Sequence, residues 1–295
     1  MGASPEKTSL LELLSFPGQD PRILRQAIEE GADINEKSPH GFTPLMFATI
    51  LNDNPDIVCT LLDHGADVNE QTNDGMTALM WSLLTETMDH TGQGLAASLD
   101  RESNRCAVAM AIIKSGADVN AICNSPHWMK WTPLLFATHS PDRNASLITA
   151  LIEAGANVDA ETAEGLTPLV HVAGWGRSSD VVRELIEAGA DVNITVRQEG
   201  RKGWTPLFYA LASPCKSLPI VRELVDNRAE VNITLPNGST PLMFAVNLGD
   251  DPSFVELLLN AGAEVHKQDK DGNTPLDYAK AKNYKRVIRC ITKAR

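Results

Sequence analysis

Apolar residues recur along this chain in short helix-spaced sets separated by polar turns, and the pattern restarts instead of running on. In residues 41 to 74, Leu45 and Ala48 stand three apart on one face, the polar break Asn52-Asp53-Asn54-Pro55 follows, and Ile57, Val58, Leu61 and Leu62 then recur at helical spacing. This pattern predicts a helical hairpin. Thr43 stands where a hydroxyl caps the first helix, and Pro44 follows at a position where a missing N–H costs nothing. Gly65 is placed to end the second helix in the left-handed conformation, and Asp67 to Gly75 predicts a projecting turn.

The restarts are regular. A Thr-Pro-Leu-like tripeptide returns at Thr43, Thr77, Thr132, Thr167, Thr205, Thr240 and Thr274, with steps of 34, 55, 35, 38, 35 and 34. Between these stands Gly-Ala-Asp-Val-Asn at Gly65 to Asn69, Gly116 to Asn120 and Gly189 to Asn193, with variants at Gly31, Gly155, Arg228 and Gly262. Such a period implies a stacked array in which each unit contacts its neighbours, with no boundary needed inside the chain. The tripeptide also serves as a ruler. Thr-to-Gly distances are 22 or 23 except for the 39 from Thr77 to Gly116, so about 17 residues are inserted in the stretch Thr85 to Asn104. Gly-to-Thr distances are 12 except for two of 16, which lengthen the turns before Thr132 and Thr205 by four residues each.

Charge changes the picture at one end. The net charge of −12 is uneven, because residues 266 to 295 hold nine Lys or Arg against three Asp, a balance of +6 that leaves −18 on residues 1 to 265. An acidic body repels nucleic acid, and the basic end reads as a solvated cap whose cations suit a helix terminus. No stretch approaches a membrane span. The start lacks a signal-peptide pattern, and Glu6 occupies the place where a myristoylation signal needs Ser or Thr. Five cysteines, Cys59, Cys106, Cys123, Cys215 and Cys290, show no paired spacing, which fits reduced thiols in a cytoplasmic or nuclear protein.

The Thr-Pro-Leu start and the Gly-Ala-Asp-Val-Asn turn, in this order, resemble the ankyrin repeat from about Ser9 to about Cys290. The resemblance implies an all-α solenoid of helix-turn-helix repeats with projecting β-turn fingers, about eight repeats including caps. Its expected bounds are 6–40 for the N-terminal cap, 41–74, 75–129 (insertion about 85–104), 130–164, 165–202, 203–237 and 238–271 for the internal repeats, and 272–295 for the C-terminal cap. It also implies a non-enzymatic module that binds another protein through a concave groove and the fingers, as an adaptor, scaffold, inhibitor or substrate receptor. No cofactor, nucleic acid or membrane is called for, and two polar ends favour a monomer. Where the family often carries His after Thr-Pro-Leu, this chain has Met46, Met80, Leu135, Val170, Phe208, Met243 and Asp277.

Candidate chemistry is sparse. The seven histidines are scattered and none forms a helical zinc pattern, Cys123 and His127 lack a second ligand pair, and Gly92-Gln93-Gly94 lacks the rest of a phosphate cradle. Placement of rings says more. Four residues after the successive repeat threonines stand Phe47, Trp81, Phe136, His171, Tyr209, Phe244 and Tyr278, with Trp175 one turn beyond His171. This column faces away from its own hairpin, so it either packs between repeats or lines the groove as binding anchors. The lengthened fingers add Trp128 and Met129 in one and Arg197, Arg201 and Lys202 in the other, the cations being solvated or docking an acidic partner. Two rival readings remain: an enzyme whose site the 85–104 insertion completes, and a substrate of an asparaginyl hydroxylase, which the resemblance maps to Asn35, Asn69, Asn120, Asn193 and Asn232.

Overall fold

A computed structural model describes residues 9–16, 18–51, 54–84, 99–139, 145–176 and 178–294. The Asn52-Asp53 break, the Gly92-Gln93-Gly94 run and most of the insertion, residues 85–98, lie outside the described residues. Sixteen helices follow one another in pairs among the described residues. They are α1 (Leu10–Leu14), α2 (Pro21–Glu29), α3 (Pro44–Leu51), α4 (Pro55–Asp63), α5 (Ala78–Leu83), α6 (Leu99–Lys114), α7 (Pro133–Thr138) and α8 (Ala145–Glu153). The second half adds α9 (Pro168–Trp175), α10 (Ser179–Glu187), α11 (Pro206–Ala212), α12 (Leu218–Asp226), α13 (Pro241–Asn247), α14 (Ser253–Asn260), α15 (Pro275–Ala281) and α16 (Lys285–Lys293).

Most of the repeat threonines cap as the sequence implies, while Thr205 starts α11 without a side-chain cap bond. Thr43, Thr77, Thr240 and Thr274 each accept a hydrogen bond from the backbone N–H three residues on, at 3.3 to 3.4 Å. Most of these helices have fewer than ten residues, too short to hold by themselves, so packing stabilises them. In α3 and α4, Leu45, Met46, Ala48, Ile57, Val58 and Leu61 are all buried. The apolar residues that replace the family's His are buried too, from Met46 to Met243, whereas Asp277 stays exposed.

Contacts gather the chain into two compact blocks, Met1–Ala137 with Asn144–Asn157, and Thr138–Arg143 with Val158–Arg295. In the first block α1, α3 and α5 stack as one layer and α2, α4, α6 and α8 as a second. In the second block α9, α11, α13 and α15 form one layer and α10, α12, α14 and α16 the other. Residues 99–104, which the ruler assigns to the insertion, are helical, because α6 has 16 residues where the other second helices have eight or nine. Part of the added length therefore extends a helix instead of forming a loop.

The turn motif works as a ladder. Within it Asp33, Asp67, Asp118 and Asp191 each accept from the N–H two residues on, at 2.8 to 3.0 Å. The Asn that follows reaches the next repeat: Asn69 accepts from the Asp118 N–H at 2.7 Å and donates to the Gly116 carbonyl at 3.3 Å. Gly65 ends α4 at φ +91°, and Arg228 holds the equivalent left-handed place at φ +70° despite its side chain.

Candidate functional site: two lengthened fingers and a column of rings

The first lengthened finger closes as a miniature hairpin. The Cys123 N–H donates to the Trp131 carbonyl and the Lys130 N–H to the Cys123 carbonyl, both at 2.8 Å. Inside this bridge the Trp128 N–H donates to the Ser125 carbonyl at 3.0 Å, which bends the chain back. The Trp128 ring consequently lies 4.6 Å from the Trp131 centroid and 5.4 Å from that of Phe136. Phe136 and Trp131 are buried and Trp128 half-buried, while Met129 and Ile122 remain 50% and 49% exposed. The finger leans on the one before it: the Asn124 N–H donates to the Asp74 carbonyl at 2.8 Å, and a Cβ at Gly75 would stand 2.9 Å from the Ile122 carbonyl oxygen.

The second finger repeats this register with other side chains. The Val196 N–H donates to the Trp204 carbonyl at 2.8 Å, the Gly203 N–H to the Val196 carbonyl at 2.9 Å, and the Arg201 N–H to the Gln198 carbonyl at 3.0 Å. Arg201 thus takes the place of Trp128, with its guanidinium 5.2 Å from the Trp204 ring and 5.0 Å from the Tyr209 ring. Arg197 pairs with Glu161, Gln198 donates to Glu164 at 2.8 Å, and the Tyr209 hydroxyl donates to Gln198 at 3.3 Å. Burial raises the Tyr209 phenol above its ordinary pKa, with Arg201 opposing the shift. Lys202 is exposed.

The ring column divides by burial. In the first block Phe47 and Trp81 are half-buried and both meet Phe42, at 5.7 Å and 5.6 Å between centroids, whereas Phe136 is sealed under Trp128. Among the described residues the Trp81 Nε1–H meets no acceptor. In the second block His171 and Tyr209 are buried, and Trp175 lies 5.2 Å from His171 and 5.9 Å from Tyr209 while remaining 46% exposed. Burial, helped by the charge of His139, lowers the His171 pKa to about 4 and keeps the imidazole neutral. Phe244 is half-buried against Trp204 and Phe208, and the Tyr278 hydroxyl donates to Asp269.

The five turn asparagines all serve the ladder. Asn35 accepts from Asp67, Asn120 from Asn157, Asn193 from Glu230 and Asn232 from Glu264, at 2.7 to 2.8 Å, alongside Asn69 described above. The sequence reading missed Phe42, although it stands before a repeat Thr as Trp131 and Trp204 do. It also missed Glu161 and Glu164, which the repeat spacing places opposite the second finger. Among the described residues no group of three or more His, Cys, Asp or Glu is placed to hold a metal ion, and no helix is long and apolar enough to cross a membrane.

Stacked helical hairpins joined by hydrogen-bonded turns define a class of repeat scaffolds that serve in general for protein–protein interaction. The model of ankyrin repeats matches this sequence three times, over residues 12–90, 95–196 and 211–294, and the chain belongs to that family. Neurogenic locus notch homolog protein 2 of Homo sapiens is 30% identical over 142 residues, 48% of this chain and 6% of that protein. Neurogenic locus notch homolog protein 1 of Mus musculus is 28% identical over 214 residues, 68% of this chain and 8% of its own length. A putative ankyrin repeat protein of fowlpox virus is 30% identical over 109 residues, 37% of this chain and 17% of that protein. The chain thus spans under a tenth of the Notch relatives' length. Ankyrin repeats are in general a non-enzymatic fold for protein–protein interaction.

Proposed function

We propose that this chain is a monomeric recognition module that holds a protein partner against the first-helix rings and the two lengthened fingers, as an adaptor, scaffold, inhibitor or substrate-recognition subunit. The observation that supports this reading is the exposure of large apolar groups at rigid positions: Trp175 at the end of α9, and Met129 and Ile122 on a finger pinned by backbone hydrogen bonds. A pre-ordered surface loses little conformational freedom on binding, so such anchors contribute most of their burial to affinity. The roles divide among the named residues. Trp175, Met129, Phe47, Trp81 and Phe244 offer contact area, Arg197, Arg201 and Lys202 a charged rim, and Phe136, His171, Tyr209 and Trp128 support the exposed members from below. A reducing cytoplasmic or nuclear setting is in keeping with cysteines that form no disulfide among the described residues.

Crosslinking capture from the native host tests the reading with Trp175→Ala and Met129→Ala. Each substitution is expected to weaken capture of the same partner about tenfold or more while leaving the circular dichroism unchanged. Undiminished capture by both folded variants overturns it.

A further inference from the structure

The two blocks differ in how they treat their rings. Over Tyr209 and Trp204 the protein lays its own guanidinium, that of Arg201. Phe42, Phe47 and Trp81 form a comparable half-buried cluster, yet among the described residues no Lys or Arg stands over any of them. The surrounding sequence is charged in the matching sense. From Ser38 to Asp100 there are nine Asp or Glu and no Lys or Arg. The nearest preceding cation, Lys37, is held by Glu70 at 2.6 Å. Asp67 and Asp74, on the finger that leads into the helix bearing Trp81, are exposed.

From this contrast we infer that the Phe42–Phe47–Trp81 cluster is a docking seat for an Arg or Lys side chain carried by a basic segment of the protein partner. The inference rests on the interaction surface proposed above and adds the chemistry of its occupant. Ring faces carry negative quadrupolar potential and attract cations, most strongly where the cation leaves water. Exposed carboxylates such as Asp67 and Asp74 on the adjoining finger draw a basic segment toward this part of the chain and repel acidic proteins and nucleic acids. The second block shows that a ring at this column position accepts a guanidinium, since Tyr209 is the column residue of its repeat. The first block has the rings and exposed carboxylates, and among its described residues no Lys or Arg fills the seat.

The test uses the full chain labelled with 5-fluorotryptophan, the Trp81 resonance being assigned by Trp81→Phe, and three peptides: hexa-arginine, hexacitrulline and hexaglutamate. Hexa-arginine is expected to move the Trp81 resonance of the wild type, and the other two are not. Trp81→Ala weakens the hexa-arginine titration about fivefold or more, Asp74→Asn about twofold, and Trp81→Phe leaves it within about twofold. An unmoved Trp81 resonance, equal binding of hexacitrulline, or equal weakening by Phe16→Ala, which removes an exposed ring elsewhere, overturns the assignment. If Trp81→Ala abolishes partner capture while hexa-arginine neither shifts Trp81 nor competes, the cation seat falls and the interaction surface stands. Undiminished capture by Trp175→Ala and Met129→Ala removes the surface itself.

Discussion

The two lengthened fingers share one backbone and solve one problem with opposite chemistry. Each adds four residues, bridges Cys123 to Trp131 or Val196 to Trp204, and folds a side chain back over the column ring of the following helix. One finger covers Phe136 with an indole, and the other covers Tyr209 with a guanidinium. The difference teaches that the hydrogen-bond register fixes where the cover sits while leaving its nature free. An apolar cover seals the ring and gains from burial. A cationic cover leaves a charge at the surface, where salt can reach it.

The largest effect should come from removing the indole. Trp128→Ala strips two ring contacts and opens a gap above Phe136, with an expected loss of about 3 kcal/mol in urea unfolding that is the same at low and high salt. A loss under about 1 kcal/mol would mean that the two covers are equivalent.

Acid should separate the blocks next. The His171 pKa lies at about 4 against an ordinary 6.5, so the unfolded chain binds its proton first. Stability from this group is therefore complete above pH 6.5 and declines as pH falls toward 4, by up to about 3 kcal/mol. Hydrogen exchange at pH 7 and pH 5 should show faster opening in the block that holds His171, Trp175 and the second finger. His171→Phe should flatten the dependence, and an equal response in the first finger would show that its origin lies elsewhere.

The ladder supplies an internal control of intermediate size. Asn120 and Asn193 precede the two fingers and make matching bonds, accepting at 2.7 and 2.8 Å and donating at 3.0 and 3.1 Å. Asn120→Ala and Asn193→Ala should each cost about 1–2 kcal/mol by thermal denaturation, and by similar amounts. Unequal costs would show that the fingers differ below their covers as well as above.

Smallest is the cation itself. Arg201→Ala should cost about 0.5–1 kcal/mol in low salt, and the loss should shrink at 1 M NaCl because the charge is exposed. A salt-independent loss near that of Trp128→Ala would erase the contrast between the covers.

Much of this is legible in the sequence. Thr43, Pro44 and Gly65 each specify a local backbone state, and local states follow from single residues. Counting between them also exposed both lengthened fingers, because a strict period makes any surplus visible. The burial of the ring column was not legible. Phe47 and Phe136 hold the same place after their threonines, yet only Phe136 has a lengthened finger with an indole to close over it. The helical extension at 99–104 escaped for a related reason, since a distance between motifs counts residues without saying whether they coil. The ladder bonds escaped because each Asn looks like a local turn former until the next repeat arrives at its amide.

The sequence by itself determined the repeat, its start and stop residues and the places where its length departs from the period. Those features rest on backbone preferences and apolar spacing, which act over a few residues. Only the tertiary structure decided that Trp128 and Arg201 are equivalent covers, that Trp175 stays exposed, and that Phe42, Phe47 and Trp81 meet with no Lys or Arg over them among the described residues. The two covers depend on how a finger folds back onto the helix it leads into, and the Phe42–Trp81 and Trp175–Tyr209 contacts join neighbouring repeats, arrangements that no single-residue preference encodes.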